Sequence, residues 1–244
     1  MINKIITFST EKSYFKQKDL YPEPCKLNIP DWFKKLDHTA ELMTVKGCMP
    51  FLDSLTSGYL LKIPADLYLK HNYSDENGRY TTIHSKVPNI PIMKLNVNKE
   101  GDEQLHPPQQ LGNECPFHKK NQGLSYQKIL NPWLIKTPPG YSCLFLPPMN
   151  NGDDRFSIIP GIVDTDSFIS EINFPIIVNG DKYPMLETII KKGTPYVQVI
   201  PFKRESWKME VTSNKENRIE RIFYQQFKFL HNYKTRWWNK KSWK

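Results

Sequence analysis

The chain has 244 residues, 39% of them hydrophobic and 13% aromatic, which suffices for one large or two small domains with a real core and excludes a disordered polymer. A mean hydropathy of -0.59, with no apolar run near ~18 residues, excludes a transmembrane helix. The net charge of +9 is concentrated in the tail: residues 203–244 hold 12 Lys or Arg against 4 Asp or Glu, and the preceding 202 hold 22 against 21, an asymmetry that points to a partner-binding appendage.

The opening "MINKIITFSTEKSYFK" has no apolar stretch followed by small residues, so no signal peptide is expected, and the reading is of a cytoplasmic protein. Cys25, Cys48, Cys115 and Cys143 are widely spaced with no CxxC, which fits reduced thiols in a cytosol. Residues 1–25 read as an N-terminal extension with one short strand, Lys4 to Phe8. Pro22, Pro24 and Pro30 force extended backbone, and Pro30-Asp31 opens a short helix carrying Trp32, Phe33 and Leu36 as a lid or clasp. The apolar run Tyr59 to Leu69 is broken at Pro64 and reads as two short strands. "NYSDENGRYTTIHS" predicts a hairpin turning at Asn77-Gly78.

Residues 86–128, rich in Pro, Asn, Gln, Gly and Lys, predict a long irregular connection. From Asn131 strand signals follow in quick succession, punctuated by Pro and Gly, with no room for a helix of more than two turns. The fold class is therefore mainly β, a sandwich or barrel of short strands spanning 26–208, without internal repeats. The tail, 209–244, is different. Ile219, Ile222, Phe223, Phe227, Leu230 and Trp237 recur at helical spacing behind a Ser213/Glu216 capping box, which predicts an amphipathic helix from about Asn214 to about Trp238.

Three groups of side chains carry candidate chemistry. Asp164 and Asp166, two apart at a strand, would project to one face, where paired carboxylates hold a divalent ion or divide into general acid and base; the alternative is that they cap a turn and pair with a Lys. His106, Cys115 and His118, with His84 as a distant fourth, have a spacing compatible with zinc. In the tail, basic residues interleave with aromatics in the manner of sequence-tolerant nucleic-acid binding, although helical periodicity also favours docking on the β domain or on a neighbouring chain. The less periodic end, with Arg236, Trp237, Trp238, Lys240, Lys241 and Trp243, is the better candidate for contacting an external protein or nucleic acid; no membrane is implied. No P-loop, GxGxxG or Ser-His-Asp order is present.

The patterns "KTPPGYSCLF", "GIVDTD", "INFPIIV" and "IIKKGTPYVQVIPF" resemble a family of uncharacterised proteins of bacteria and T4-like tailed phages over most of residues 25–208. More distantly, the same segments resemble the dUTPase and dCTP deaminase superfamily. That resemblance implies a β-clip or jelly-roll-like sandwich and a homo-oligomer, with trimers as the expectation. It places Asp164 at the water-activating or sugar-binding carboxylate, Phe168 beneath the sugar, Gly193 to Gln198 along the phosphates, and Asp66 at a possible metal side, with Mg as the cofactor of an enzyme. The chain departs from the pattern where phosphate should be gripped. "LPPMNNGDDRF" offers Arg155 but also Asp153 and Asp154, which repel a triphosphate, and the basic tail replaces a glycine-rich closing arm. The expectation that follows is a non-enzymatic binding or assembly protein, with a nucleotide hydrolase or deaminase and a nucleic-acid binder as the alternatives.

Overall fold

The structure, a computed structural model, describes residues 4–39, 41–74, 78–85, 105–213, 222 and 232–244. Five short helices are described, α1 (Lys12–Phe15), α2 (Asp31–Lys35), α3 (Met49–Thr56), α4 (Pro116–Lys120) and α5 (Asn232–Arg236). The rest is β. Strands β1 (Thr7–Ser9) and β8 (Leu134–Lys136) form a two-stranded sheet; β10 (Phe156–Ile158), β12 (Phe174–Val178), β7 (Tyr126–Ile129) and β6 (Leu105–His106) form a second, in that order. The largest sheet has the order β11 (Gly161–Val163), β9 (Tyr141–Leu146), β14 (Pro195–Lys203), β3 (Tyr59–Lys62) and β2 (Glu23–Pro24). The last comprises β13 (Met185–Ile190), β4 (Leu67–Asn72) and β5 (Tyr80–Ser85). All pairings are antiparallel and none of the four sheets closes into a barrel.

Two strand pairs turn a corner together. β3 pairs with β14 in one sheet, and their continuations β4 and β13 pair in another. At the bend the Ile63 amide donates to Thr194 O at 2.9 Å and the Gly193 amide to Ile63 O at 2.8 Å. Gly193 takes φ +84°, a backbone that side chains with a Cβ rarely adopt, and Pro64 needs no ladder partner where the chain leaves one sheet for the next. Alternation then aims Leu61, Leu67, Leu69, Ile190, Val197 and Val199 into one core shared with Cys143 and Phe145 of β9, Phe156 and Ile158 of β10, and Phe174, Ile176 and Val178 of β12.

Buried polar side chains join the sheets. Gln127 Oε1 on β7 accepts from the Ile83 amide of β5 at 2.8 Å, and Asn121 Oδ1, just past α4, accepts from the Val178 amide of β12 at 2.9 Å. His71, buried on β4, lies 2.9 Å from Gln122 Oε1, so its Nε2–H donates there while Nδ1 accepts from the Thr81 hydroxyl at 2.7 Å. The cysteines are unbridged, and burial pushes Cys25 up to about 12 and Cys143 up to about 11, as expected of inert structural thiols.

Most strand expectations fall on observed strands, and the hairpin is present as the β4–β5 pair, with Gly78 at φ +74° and Asn77 outside the described residues. α2 carries Phe33 inward, stacked on Phe51, while Trp32 stays half-exposed. The first strand lies at Thr7–Ser9 rather than Lys4 to Phe8. Helix α3 was not expected from the sequence; Pro50 near its start and a burial pattern of only Met49 and Leu55 give it a weak periodic signal. Most of the predicted 214–238 helix lies outside the described residues, and its described end stops at Arg236. No described helix is long and apolar enough to cross a membrane.

Burial holds the His71 pKa below the ordinary histidine value, against the opposing hydrogen bond to Gln122. The native state thus favours neutral His71, and the unfolded chain takes up the proton first. This contribution is complete above about pH 6.5, the usual histidine value, and is lost as pH falls below it. Urea unfolding between pH 8 and 5 should show stability declining on acidification, and His71→Gln should flatten that decline.

Candidate functional site

Asp164 and Asp166 lie in the turn after β11, where the Ser167 and Phe168 amides bond back to Asp164 O at 3.1 and 2.9 Å. They do not stand on a strand facing open solvent together. Both meet Arg204, the first residue beyond β14. Its Nη1 is 3.2 Å from Asp164 Oδ1 and 2.9 Å from Asp166 Oδ1, and Nη2 pairs with Asp166 Oδ2. The Gly140 amide donates to Asp166 at 2.8 Å and the Ser142 hydroxyl to Asp164 at 2.6 Å. Arg204 Nη1 also reaches Ser142 Oγ at 3.0 Å, and the Arg204 amide bonds Gly140 O at 2.9 Å.

The result is a knot that fastens the end of β14 to the β9 turn and the β11 turn. The Asp166 side chain keeps only 10% of its exposure, and Arg204 first, then the Gly140 amide, holds its carboxyl well below the usual carboxylate range. Of the two readings of this pair, the observed geometry is that of a turn closed on a cation. A magnesium ion does not fit here, because the Arg204 guanidinium set against both carboxylates would repel it.

Of the other residues expected around a nucleotide, Phe168 adjoins this knot, whereas Asp66, Gln198 and Arg155 are engaged elsewhere. Asp66 accepts from the Lys192 amide at 2.8 Å and pairs with Lys191 at 2.9 Å, which caps the corner that Gly193 turns. That corner and Arg204 sit at opposite ends of the nine-residue β14, about 30 Å apart at a strand rise of ~3.3 Å per residue. Gln198, midway, is buried; its Oε1 accepts from the Met149 amide at 2.8 Å and its Nε2 donates to Ser54 O and Ser57 O at 3.0 and 2.7 Å. Its amide is spent holding the 148–151 loop and α3 on the sheet.

Arg155 forks onto Asp153, with Nε 2.9 and 3.0 Å from the two carboxylate oxygens, and reaches the Thr188 hydroxyl with Nη1. Asp154 is taken by Lys182 and by the Tyr183 hydroxyl at 2.9 Å. Phe168 is partly exposed and gives its carbonyl to Lys136. Crevices of 400, 410 and 540 Å³ are lined by residues other than Asp164 and Asp166.

The proposed zinc ligands are also apart. His106 stacks on Tyr126 and bonds Gln110 at 2.6 Å, His118 donates Nδ1–H to Pro108 O at 3.1 Å, and Cys115 caps α4. Among the described residues no three His, Cys, Asp or Glu side chains are placed to hold a metal ion.

The end of the tail folds back. Trp238 Nε1–H and Lys241 Nζ both donate to Asp53 Oδ2 on α3, at 3.0 and 2.6 Å. Trp243 meets Tyr59 edge-on at 6.1 Å, and the Tyr59 hydroxyl donates to Lys244 O at 3.2 Å. Three of the residues expected to reach outward, Trp238, Lys241 and Trp243, thus touch the chain's own β domain; Arg236, Trp237 and Lys240 are exposed. Arg204 and Asp53 are the residues that sequence reasoning missed. Arg204 lies 38 positions from Asp166 and Asp53 lies 185 from Trp238, so no local spacing announces either contact.

Comparison with protein-family models, curated proteins and solved structures finds no match to this chain. The pairings themselves therefore carry the functional reading. If Arg204 closes the knot by charge, Arg204→Met should melt below wild type at pH 7 and Arg204→Lys between them. Because the Asp166 pKa is depressed on folding, its contribution is present above the ordinary carboxylate value of about 4 and is lost below it. Melting curves at pH 7 and pH 3 should show the gap between wild type and Arg204→Met narrowing in acid without closing, because the folded-state carboxyl stays largely ionised at pH 3.

Proposed function

We propose that this chain is a non-enzymatic binding or assembly protein built on a dUTPase-like β scaffold, of the kind its resemblance to T4-like phage proteins suggests. The observation that carries this reading is the pairing of the acids and cations that the nucleotide reading singled out. Asp164 and Asp166 hold Arg204, Asp153 holds Arg155, and Asp66 holds Lys191. A general acid or base has to present a titratable group to its substrate, and a phosphate site has to present unneutralised donors. Apolar side chains are also exposed: Ile162, Phe168 and Ile169 on β11 and the turn after it, and Trp207, Met209 and Val211 in the segment after β14. Apolar exposure on this scale is typical of interaction surfaces.

A thermal-shift screen of the purified chain against deoxynucleoside triphosphates, with and without magnesium, should leave the melting temperature unchanged. A bound ligand must stabilise the native state, so a rise of several degrees that disappears in Asp164→Asn would overturn the proposal in favour of a nucleotide hydrolase or deaminase.

A second reading, nucleic-acid binding through the tail, is supported by the segregation of charge into residues 203–244 and by the exposure of Arg236, Trp237 and Lys240. It requires an affinity for single-stranded DNA that falls steeply between 50 and 200 mM salt, by about three hundredfold for six phosphate contacts, and that disappears on removal of residues 214–244. Binding insensitive to salt, or retained after truncation, rules it out.

A further inference from the structure

The chain leaves the main sheet at Arg204, whose amide still bonds Gly140 O at 2.9 Å. Residues 204–213 then belong to no described helix or strand, and each of them is exposed. Within this arm Trp207, Met209 and Val211 are 87%, 86% and 86% exposed. They recur with period two, and Lys208 and Glu210 lie between them. An extended backbone puts the three apolar residues on one face and the two charges on the other. This is the pattern of a half-buried strand, with neither its apolar face nor its backbone edges met by a described strand.

The residues specify what meets them. Read antiparallel against itself about Met209, the arm sets Trp207 opposite Val211, Lys208 opposite Glu210, Ser206 opposite Thr212, and Met209 opposite its twin. An aromatic with a β-branched residue, two opposite charges, and two hydroxyls are the cross-strand pairs that stabilise a ladder. A parallel in-register pairing would instead oppose Lys208 to Lys208 and Glu210 to Glu210. The antiparallel match is isologous, so it closes on a two-fold axis at two copies.

A lone two-stranded ribbon is marginal in water and needs an apolar floor. One is within reach: the turn that Arg204 grips through Asp166 continues into Phe168 and Ile169, the latter 85% exposed, and Ile162 lies exposed on the adjacent edge strand β11.

We propose that residues 206–212 form a two-stranded antiparallel ribbon with the same residues of a second copy of this chain, centred on Met209. The proposal deepens the assembly reading above by naming the partner and the register. It rests on that reading only for the idea that the exposed apolar surface is an interface. Nucleotide binding and arm pairing are measured separately, so each can fail alone.

The test uses the full-length chain in sedimentation velocity. Wild type should dimerise, and Lys208→Glu or Glu210→Lys, each of which sets like charges opposite in both symmetry-related pairs, should raise the dimer dissociation constant about tenfold. The double swap Lys208→Glu/Glu210→Lys restores the opposite-charge pairs and should return it to the wild-type value. In a Cys48→Ser background, which removes the exposed native thiol, Met209→Cys should form a disulfide-linked dimer on mild oxidation, since directly opposed residues fall within disulfide reach. All four positions are solvent-exposed, so unchanged far-ultraviolet circular dichroism checks that the variants fold. A wild type that stays monomeric throughout the micromolar range, as it would if a different protein or a nucleic acid occupied the arm, overturns the proposal. So does a dimer whose dissociation constant is indifferent to the single swaps.

Discussion

At the corner between Ile63 and Thr194 two paired strands bend together out of one sheet and into another, and the rest of the molecule is arranged around that bend. Because β3 and β14 stay hydrogen-bonded to each other up to the corner, and β4 and β13 resume the pairing beyond it, the backbone loses little pairing at the turn. The bend carries the inward faces of two sheets around a single apolar core. Asp66 belongs to this device: its carboxylate accepts from the Lys192 amide and faces Lys191, which closes the corner rather than a metal site.

The same economy of polar groups extends along β14. Buried donors and acceptors must be paired, because an unpaired one loses its water without replacement. Gln198 meets that requirement with three backbone partners and so binds α3 and the 148–151 loop to the sheet. At the far end the Arg204 knot satisfies two carboxylates, a hydroxyl and a backbone amide at once, and it fixes where the chain leaves the fold. Beyond the knot, residues 205–213 are exposed and belong to no described helix or strand.

The tail adds a second anchor. Asp53 receives both Trp238 and Lys241, and Tyr59 meets Trp243 and the Lys244 carbonyl, so the chain end is held against α3 and β3. The exposed arm thus lies between two fastened points, the Arg204 knot before it and the docked end after it.

Local chemistry in the sequence determined much of this protein. Alternation marked the strands, Pro and Gly marked their ends, and the break at Pro64 and the hairpin leading into Gly78 follow from dihedral restrictions that a residue carries wherever it is placed. That Asp153 and Asp154 beside Arg155 make a poor grip for phosphate was legible too, since two acids beside one arginine repel phosphate in any fold. The period-two pattern of Trp207, Met209 and Val211 was there to be read as well, but a sequence does not say whether such a face is buried. Only the tertiary structure decided that Asp164 and Asp166 belong to Arg204, that Gln198 is sealed inside the sheet, that His106, Cys115 and His118 stand apart, and that the terminal tryptophans turn back onto Asp53 and Tyr59. The pairings among those outcomes join residues tens to nearly two hundred positions apart, brought together by the fold, and side-chain charge pairing is settled by that proximity rather than by residue type.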